Sequence, residues 1–159
     1  MTEPRRSGLA SREQIAGLTG LEMLQKMIDG ELPGPPIGAT MGFRLVEVSP
    51  GLAVFEGEPS ADLLNPLGSV HGGWALTLVD SATGCALHSD LPAGIGYTTV
   101  ETKVNFTRPI PPDGGRVRCE GRLVSRGRQI ATAEAQLRSA EGKLLAHGTS
   151  TLILLPARE

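Results

Sequence analysis

A single carboxylate lies in the middle of a long apolar stretch of the sequence. Between Trp74 and Leu87, Asp80 is the only charged residue, and the composition of this stretch favours a buried helix. An unpaired carboxylate in apolar surroundings either costs considerable free energy or loses its charge, so such a residue usually has a chemical use. Asp80 is therefore a candidate base or nucleophile, and the alternative is a buried acid paired with a backbone or threonine donor.

Two adjacent glycines precede the same helix. His71, Gly72 and Gly73 lie at its start, where the first turn has unpaired N–H donors and a partial positive charge. Such donors can stabilise the oxyanion that forms when a carbonyl is attacked, although the glycines could also serve close packing alone. For His71 we predict a hydrogen bond that fixes the loop rather than a proton transfer.

The acid and the helix start are too far apart to act on one small carbonyl within a single chain. Asp80 follows His71 by nine positions, which corresponds to about 13 Å along a helix axis. We therefore predict that the two groups meet across a dimer, each contributed by a different chain.

Residue patterns around this helix predict the other elements. Apolar residues at intervals of three or four predict an N-terminal helix over residues 11–28, ended by Gly30. The Pro- and Gly-rich residues 31–42 predict an irregular linker, and residues 1–12 a solvated tail without function. Period-two patterns bounded by turns predict six strands, at residues 41–48, 52–58, 98–106, 115–125, 130–138 and 143–155.

This order of elements predicts an α+β fold in which one antiparallel sheet covers one long apolar helix. In the third strand Val100, Val104 and Phe106 share one parity, which predicts that they face the core. A sheet that wraps a helix still has edges, and pairing with a second copy satisfies them most cheaply. We therefore predict at least a homodimer.

Composition excludes some classes of function. The 159 residues fit one domain, and a formal net charge of −2 without a basic stripe disfavours nucleic acid and anionic membranes as partners. Cys85 and Cys119 lack metal-type spacing, so we expect buried free thiols and no metal site. With no secretion signal and no apolar run of about 18 residues, we expect a cytoplasmic protein.

The candidate residues together resemble a known family. Asn65, the His71-Gly72-Gly73 motif, Asp80 and Thr99, ahead of a strand that ends FTRPI, resemble the hotdog-fold acyl-CoA thioesterases of the phenylacetic-acid-degradation (PaaI-like) type. The resemblance covers roughly residues 40–155. It leaves residues 1–40, the predicted N-terminal tail, helix and linker, unexplained. It implies residues 41–159 as a hotdog domain that hydrolyses an acyl-CoA, aryl-acetyl or medium- to long-chain, to free acid and CoA.

The resemblance also implies a role for each of these residues. Asp80 would be the base or nucleophile and the Gly72 N–H the oxyanion donor. Asn65 would help to place the water or the carbonyl, although before Pro66 it could be a turn residue alone. Thr99 would hold the water, with Thr98 as the alternative. No metal or redox cofactor is implied, because coenzyme A enters as part of the substrate.

Assembly and CoA contacts follow from the same resemblance. It implies a homodimer and a dimer of dimers, with Asn65 and Gly72 from one subunit and Asp80 and the threonine from the other. Contacts to the phosphates of CoA are implied for two segments, although the second could be only a solvated turn: Thr107-Arg108-Pro109 and Ser125-Arg126-Gly127-Arg128.

Two alternative functions remain open from the sequence. A hotdog hydratase or dehydratase would place an Asp and a His about five residues apart near the helix start, whereas the first histidine after Asp80 is His88. A non-catalytic acyl-CoA binder would need the CoA contacts but not Asp80.

Overall fold

A computed structural model describes residues 6–156. Residues 1–5 and 157–159 lie outside it, and so does the part of the predicted solvated tail that falls on residues 1–5.

Four helices and six strands make up this part of the chain. The helices are α1 (Arg12–Ile15), α2 (Gly20–Asp29), α3 (Pro36–Met41) and α4 (Gly72–His88), and a short 3₁₀ turn spans Ala61–Leu63. The strands are β1 (Phe43–Ser49), β2 (Leu52–Gly57), β3 (Ile95–Phe106), β4 (Val117–Arg126), β5 (Ile130–Arg138) and β6 (Leu144–Pro156). All neighbouring strands are antiparallel, in the order β1-β2-β4-β5-β6-β3.

The sheet wraps around α4, which confirms the predicted α+β hotdog architecture. Helix α4 contacts all six strands, and its buried residues lie on several sides of the helix rather than on one stripe. Small residues of the sheet allow this close approach. A Cβ added to Gly121 on β4 would lie 2.2 Å from the carbonyl oxygen of Ala82.

The prediction of one N-terminal helix over residues 11–28 is wrong in one respect, because this segment forms two helices, α1 and α2. The break between α1 and α2 arises at Thr19, whose Oγ1 accepts a hydrogen bond from the Glu22 N–H (3.2 Å). The Glu22 carboxylate in turn accepts one from the Thr19 N–H (2.8 Å). This reciprocal capping box starts a new helix. Gly30 adopts the left-handed conformation and ends α2, as predicted.

Two further N-terminal predictions are corrected. Residues 31–42 are not wholly irregular, because α3 forms there, and Pro36 at its first position has a φ that suits a helix start. The tail is not frayed over residues 6–8. The Gly8 N–H donates to the Gly34 carbonyl (2.9 Å), and the Gly34 N–H donates to the Arg6 carbonyl (2.9 Å).

A β-bulge in β3 overturns part of the predicted pattern of that strand. Thr99 lies opposite Leu152 and Thr102 lies opposite Ser150, so β3 uses one residue more than β6 across this step. The extra residue is Val100, and its side chain is 57% exposed instead of facing the core. Phe106 is also mostly exposed, while Val104 packs against the core as predicted.

Candidate active site

His71 caps the start of α4. Its Nδ1 accepts a hydrogen bond from the Gly73 N–H (2.8 Å), and the backbone N–H of His71 donates to the Leu63 carbonyl (2.7 Å). The hydrogen bond expected of His71 is therefore present. Because Nδ1 is the acceptor, this nitrogen carries no proton when the ring caps the first turn of α4.

The backbone N–H of Gly72 is available at this helix end. It makes no hydrogen bond within residues 6–156, and the residue is half-buried. The Phe106 ring covers Gly72 closely, since a Cβ at position 72 would lie 3.0 Å from Phe106 Cζ. An unpaired N–H at the positive end of the 17-residue α4 has the chemistry of an oxyanion donor.

Asn65 organises the loop that leads into α4. Its Oδ1 accepts hydrogen bonds from the N–H groups of Leu67 (2.9 Å) and Ser69 (3.3 Å), and its Nδ2 donates to Ser69 Oγ (2.9 Å). The turn role considered from the sequence is thus present. One Nδ2 proton remains for a ligand, and the role of Asn65 in placing water or a carbonyl stays a prediction.

Asp80 is held by a threonine, Thr102, that is not among the site residues predicted from the sequence. Thr102 Oγ1 donates a hydrogen bond to Asp80 Oδ1 (3.1 Å). The Thr102 hydroxyl also lies 2.9 Å from Ser150 Oγ, and Ser150 Oγ lies 2.7 Å from Thr83 Oγ1. Thr102 reaches Asp80 because of the bulge at Val100, and the one sequence signal for it is that it shares the parity of Val104.

Thr99 lies on the same side of β3 as Thr102. Their partners Leu152 and Ser150 are two positions apart on β6, which separates the two threonines by roughly 7 Å along the strand. Thr98 is exposed and points to the other face of the sheet. The water-holding role of Thr99 stays a prediction.

The nearby thiols are poor nucleophiles. Burial, and secondarily the negative charge of Asp80, raises the pKa of the Cys85 thiol to about 12. Burial and then Glu120 raise the pKa of Cys119 to about 12. Both cysteines are free, as predicted, and both stay protonated near neutral pH.

Burial also shifts the pKa values of two aromatic side chains, Tyr97 and His88. It raises the pKa of Tyr97 well above its usual value and lowers that of His88, whose ring packs at a tilt on Tyr97 with centroids 5.6 Å apart. His88 Nδ1 is buried without a hydrogen-bond partner in the described part of the chain. A buried neutral ring of this kind fills space and does not supply a charge.

The two segments predicted to contact CoA lie at opposite ends of β3. Thr107 Oγ1 and Arg108 Nη1 both donate to the Leu144 carbonyl (2.7 and 2.9 Å), and the nearby Ile110 carbonyl accepts from the N–H of Val70, just before α4. At the other end, Arg126, Gly127 and Arg128 line a groove of about 630 Å³ together with Ile95.

These two ends cannot serve one phosphate group within a single chain. Strand β3 has 12 residues, so its ends are separated by roughly 36 Å. Arg126 is also engaged by Asp90 (Nε to Oδ2, 2.9 Å), whereas the side chain of Arg128 is exposed. The CoA contacts stay predictions.

Over residues 6–156, no three or more His, Cys, Asp and Glu side chains are grouped so that they could hold a metal ion. Within the same residues, no helix is long and apolar enough to cross a membrane.

Comparison with known proteins gives consistent matches. A family model described as "Thioesterase superfamily" matches residues 67–146, a range that includes His71 to Asp80. Human acyl-coenzyme A thioesterase 13 is 30% identical over 109 residues, which cover 67% of this chain and 76% of the human protein.

Solved structures agree with this match. A putative thioesterase related to phenylacetic acid degradation from Ralstonia eutropha has a TM-score of 0.74 and 30% identity, covering 82% of this chain and 98% of its own. A variant of the phenylacetic acid degradation protein PaaI from Thermus thermophilus has a TM-score of 0.67 and 32% identity, covering 74% of this chain and 97% of its own.

Proposed function

Since the chain belongs to the thioesterase superfamily, it is a thioester hydrolase, and we propose that it cleaves an acyl-CoA to a free acid and coenzyme A. The observation that carries this proposal is the pair of groups on α4: an unpaired Gly72 N–H at the helix start and a hydrogen-bonded Asp80 carboxylate in its middle. Acyl-coenzyme A thioesterase 13, which is 30% identical, supports CoA as the thiol of the substrate.

Two routes fit a carboxylate in this position. As a general base, Asp80 takes a proton from water, whose oxygen attacks the thioester carbon; the C–S bond then breaks and the CoA thiolate takes up the proton. As a nucleophile, Asp80 attacks the same carbon, CoA thiolate leaves, and water hydrolyses the resulting anhydride. In both routes the carbonyl oxygen becomes negative and would accept a hydrogen bond from the Gly72 N–H.

We propose that each site is shared between two chains. Strand β3 is an edge of the sheet and exposes Val100 and Phe106, which are 57% and 56% accessible. Antiparallel pairing of two β3 strands would place the Gly72 end of one chain near Asp80 of the other. The same pairing would bring Arg108 of one chain towards Arg128 of the other, so that one CoA could contact both.

A heterodimer tests this shared site. Gly72→Pro removes the N–H and keeps the backbone conformation, because proline suits the first position of a helix and the residue before it, His71, is already extended. The Cβ that proline adds would lie 3.0 Å from Phe106 Cζ, and the exposed Phe106 ring can shift to make room for it. Gly72→Pro and Asp80→Asn homodimers should each be nearly inactive. A heterodimer of the two, isolated with two affinity tags, should recover about half of the wild-type activity, because one of its two sites is intact. A heterodimer as inactive as its parents would contradict the shared site.

The proposed activity is tested by release of free thiol from short, medium, long and aryl-acetyl CoA thioesters. We expect thiol release from at least one of them without added metal or redox cofactor. A hydratase would instead change the double bond of an enoyl-CoA and leave the thioester intact, and a binding protein would retain acyl-CoA unchanged. No thiol release from the whole panel would refute the proposal.

Arg128 is expected to contribute binding of the CoA phosphates. Arg128→Ala should raise KM for an acyl-CoA roughly tenfold, since a charge-assisted contact to phosphate is lost. KM for the corresponding acyl-pantetheine, which lacks the nucleotide, should not change. Arg122→Ala is the matched control, because Arg122 is an exposed arginine on β4 whose partner is Glu120 (2.6 Å). An equal rise in KM for both substrates would contradict a phosphate contact.

A further inference from the structure

We infer that Thr102 is a positioning residue for Asp80, and that Ser150 and Thr83 hold the Thr102 hydroxyl in place. The inference rests on the proposed function and adds a group to the site that neither the resemblance nor the comparisons assign. It follows from a chain of hydroxyl groups that begins at the Asp80 carboxylate and ends inside the core.

The chain joins three elements at one point. Thr102 belongs to β3, Ser150 to β6 and Thr83 to α4, and successive oxygens are 2.9 and 2.7 Å apart. Ser150 is 1% exposed and Thr83 is fully buried, so water does not compete for these bonds. A buried hydroxyl needs a partner, and each of these hydroxyls has another as its partner. Ser150 and Thr83 therefore fix the orientation of the Thr102 hydroxyl from the core side.

Thr102 in turn restricts Asp80. Its hydroxyl occupies Oδ1 at 3.1 Å, which leaves Oδ2 as the carboxylate oxygen that can face water or a thioester. An aspartate side chain without this contact could rotate about χ2, because terminal sp³–sp² torsions have broad preferences. Thr102 therefore restricts the χ2 rotation of Asp80 before the substrate binds. Without it, the attacking carboxylate would have to be oriented anew in each turnover.

The hydroxyl chain also tolerates both charge states of the acid. With Asp80 ionised, Thr83 can donate to Ser150, Ser150 to Thr102, and Thr102 to Asp80. With a proton on Oδ2, Oδ1 still accepts from Thr102. With a proton on Oδ1, each donor can reverse, and the chain ends at the Val79 carbonyl oxygen, 2.9 Å from Thr83 Oγ1. No buried proton is left without an acceptor in either state. This property suits an acid that takes up and returns a proton during catalysis.

The β3 bulge makes this arrangement possible. Without the bulge, Val100 would pair with Thr151, and Glu101 rather than Thr102 would lie opposite Ser150. A second carboxylate would then face Asp80 and repel it. With the bulge, Glu101 lies on the outer side, where it accepts a hydrogen bond from Thr151 (3.3 Å).

The test compares hydrolysis of one acyl-CoA by single variants. Thr102→Val keeps the β-branched shape and removes the hydroxyl, and it should lower kcat roughly 10- to 100-fold while KM changes by less than about twofold. Thr102→Ser restores the hydroxyl and should return kcat to within about threefold of wild type. Thr149→Val is the matched control, since Thr149 is next to Ser150 but exposed, and it should have wild-type kcat.

Two further measurements separate positioning from mere folding. If Thr102 acts through Asp80, adding Thr102→Val to Asp80→Asn should cause no further loss of kcat. Ser150→Ala removes the hydroxyl that holds Thr102 but leaves Thr102 itself unchanged, and it should also lower kcat. It replaces Thr102→Val in the test if the Thr102→Val variant does not fold.

The inference is overturned if the folded Thr102→Val or Ser150→Ala variant keeps wild-type kcat, or if Thr102→Val lowers the residual rate of Asp80→Asn by the same factor as that of wild type. A wild-type protein that releases no thiol would instead refute the proposed function. Full activity of Thr102→Val beside an inactive Asp80→Asn would refute only the role of Thr102.

Discussion

Asp80→Asn is expected to lower kcat for thioester hydrolysis by roughly 10²- to 10⁴-fold, the range for loss of a catalytic base. The amide has the same shape as the carboxylate and can still accept the hydrogen bond from Thr102 through its oxygen. It can neither deprotonate water nor attack a carbonyl. Steady-state release of thiol from an acyl-CoA measures the effect, and the thermal unfolding midpoint shows whether the fold is kept.

Substrate binding provides the control for this variant. The residue lies in the middle of α4 and distant from the segments proposed to contact the CoA phosphates, so affinity for a non-hydrolysable acyl-CoA analogue should stay near that of wild type. Retention of more than about a tenth of the wild-type kcat would contradict a role for Asp80 as base or nucleophile. A loss of both affinity and fold would point to a structural role for the acid.

The parts of the site that the sequence predicts are those encoded by neighbouring residues. An acid in an apolar helix and two glycines at the start of that helix are visible in one short stretch, and the structure places both on α4. The hydrogen bond of His71 to the Gly73 N–H is equally local. The turn at Gly30 and the hairpin of β1 and β2 are of the same kind.

The parts that the sequence does not predict depend on contacts between distant residues. The extra residue at Val100 follows from how β3 pairs with β6, some fifty positions later, and a period-two pattern carries no sign of it. That Thr102 rather than Glu101 faces Asp80 follows from that bulge. The break before α2 was local, but the capping pair Thr19 and Glu22 lay within an otherwise regular apolar period.

The position of the α4 backbone around Asp80 depends on a row of small residues across the sheet. Gly121 on β4 lies opposite Ala53 on β2 and Ala135 on β5, and Ala135 lies opposite Gly148 on β6. These positions face α4 and let its backbone approach the sheet closely. Because β4 supports the helix one turn from the acid, the packing of this row sets the position of Asp80 as well as the stability of the fold.

Gly121→Ala should therefore lower the free energy of unfolding by about 3 kcal/mol or more, the upper end of the range for overpacking. The new Cβ would lie 2.2 Å from the Ala82 carbonyl oxygen and 2.9 Å from the Thr83 nitrogen, and these are backbone atoms that cannot rotate away. Helix α4 would have to move away from β4. Urea unfolding at a fixed protein concentration measures the loss.

Gly96→Ala is the matched control for this substitution, because it also adds a methyl group to a glycine within a strand. The nearest atom to a Cβ at position 96 is the Leu155 carbonyl oxygen at 3.9 Å, an ordinary van der Waals distance. This variant should keep or slightly raise stability, since alanine restricts the unfolded chain more than glycine does. Equal stabilities of the Gly121→Ala and Gly96→Ala variants would mean that α4 is not packed against β4 as closely as the 2.2 Å approach requires.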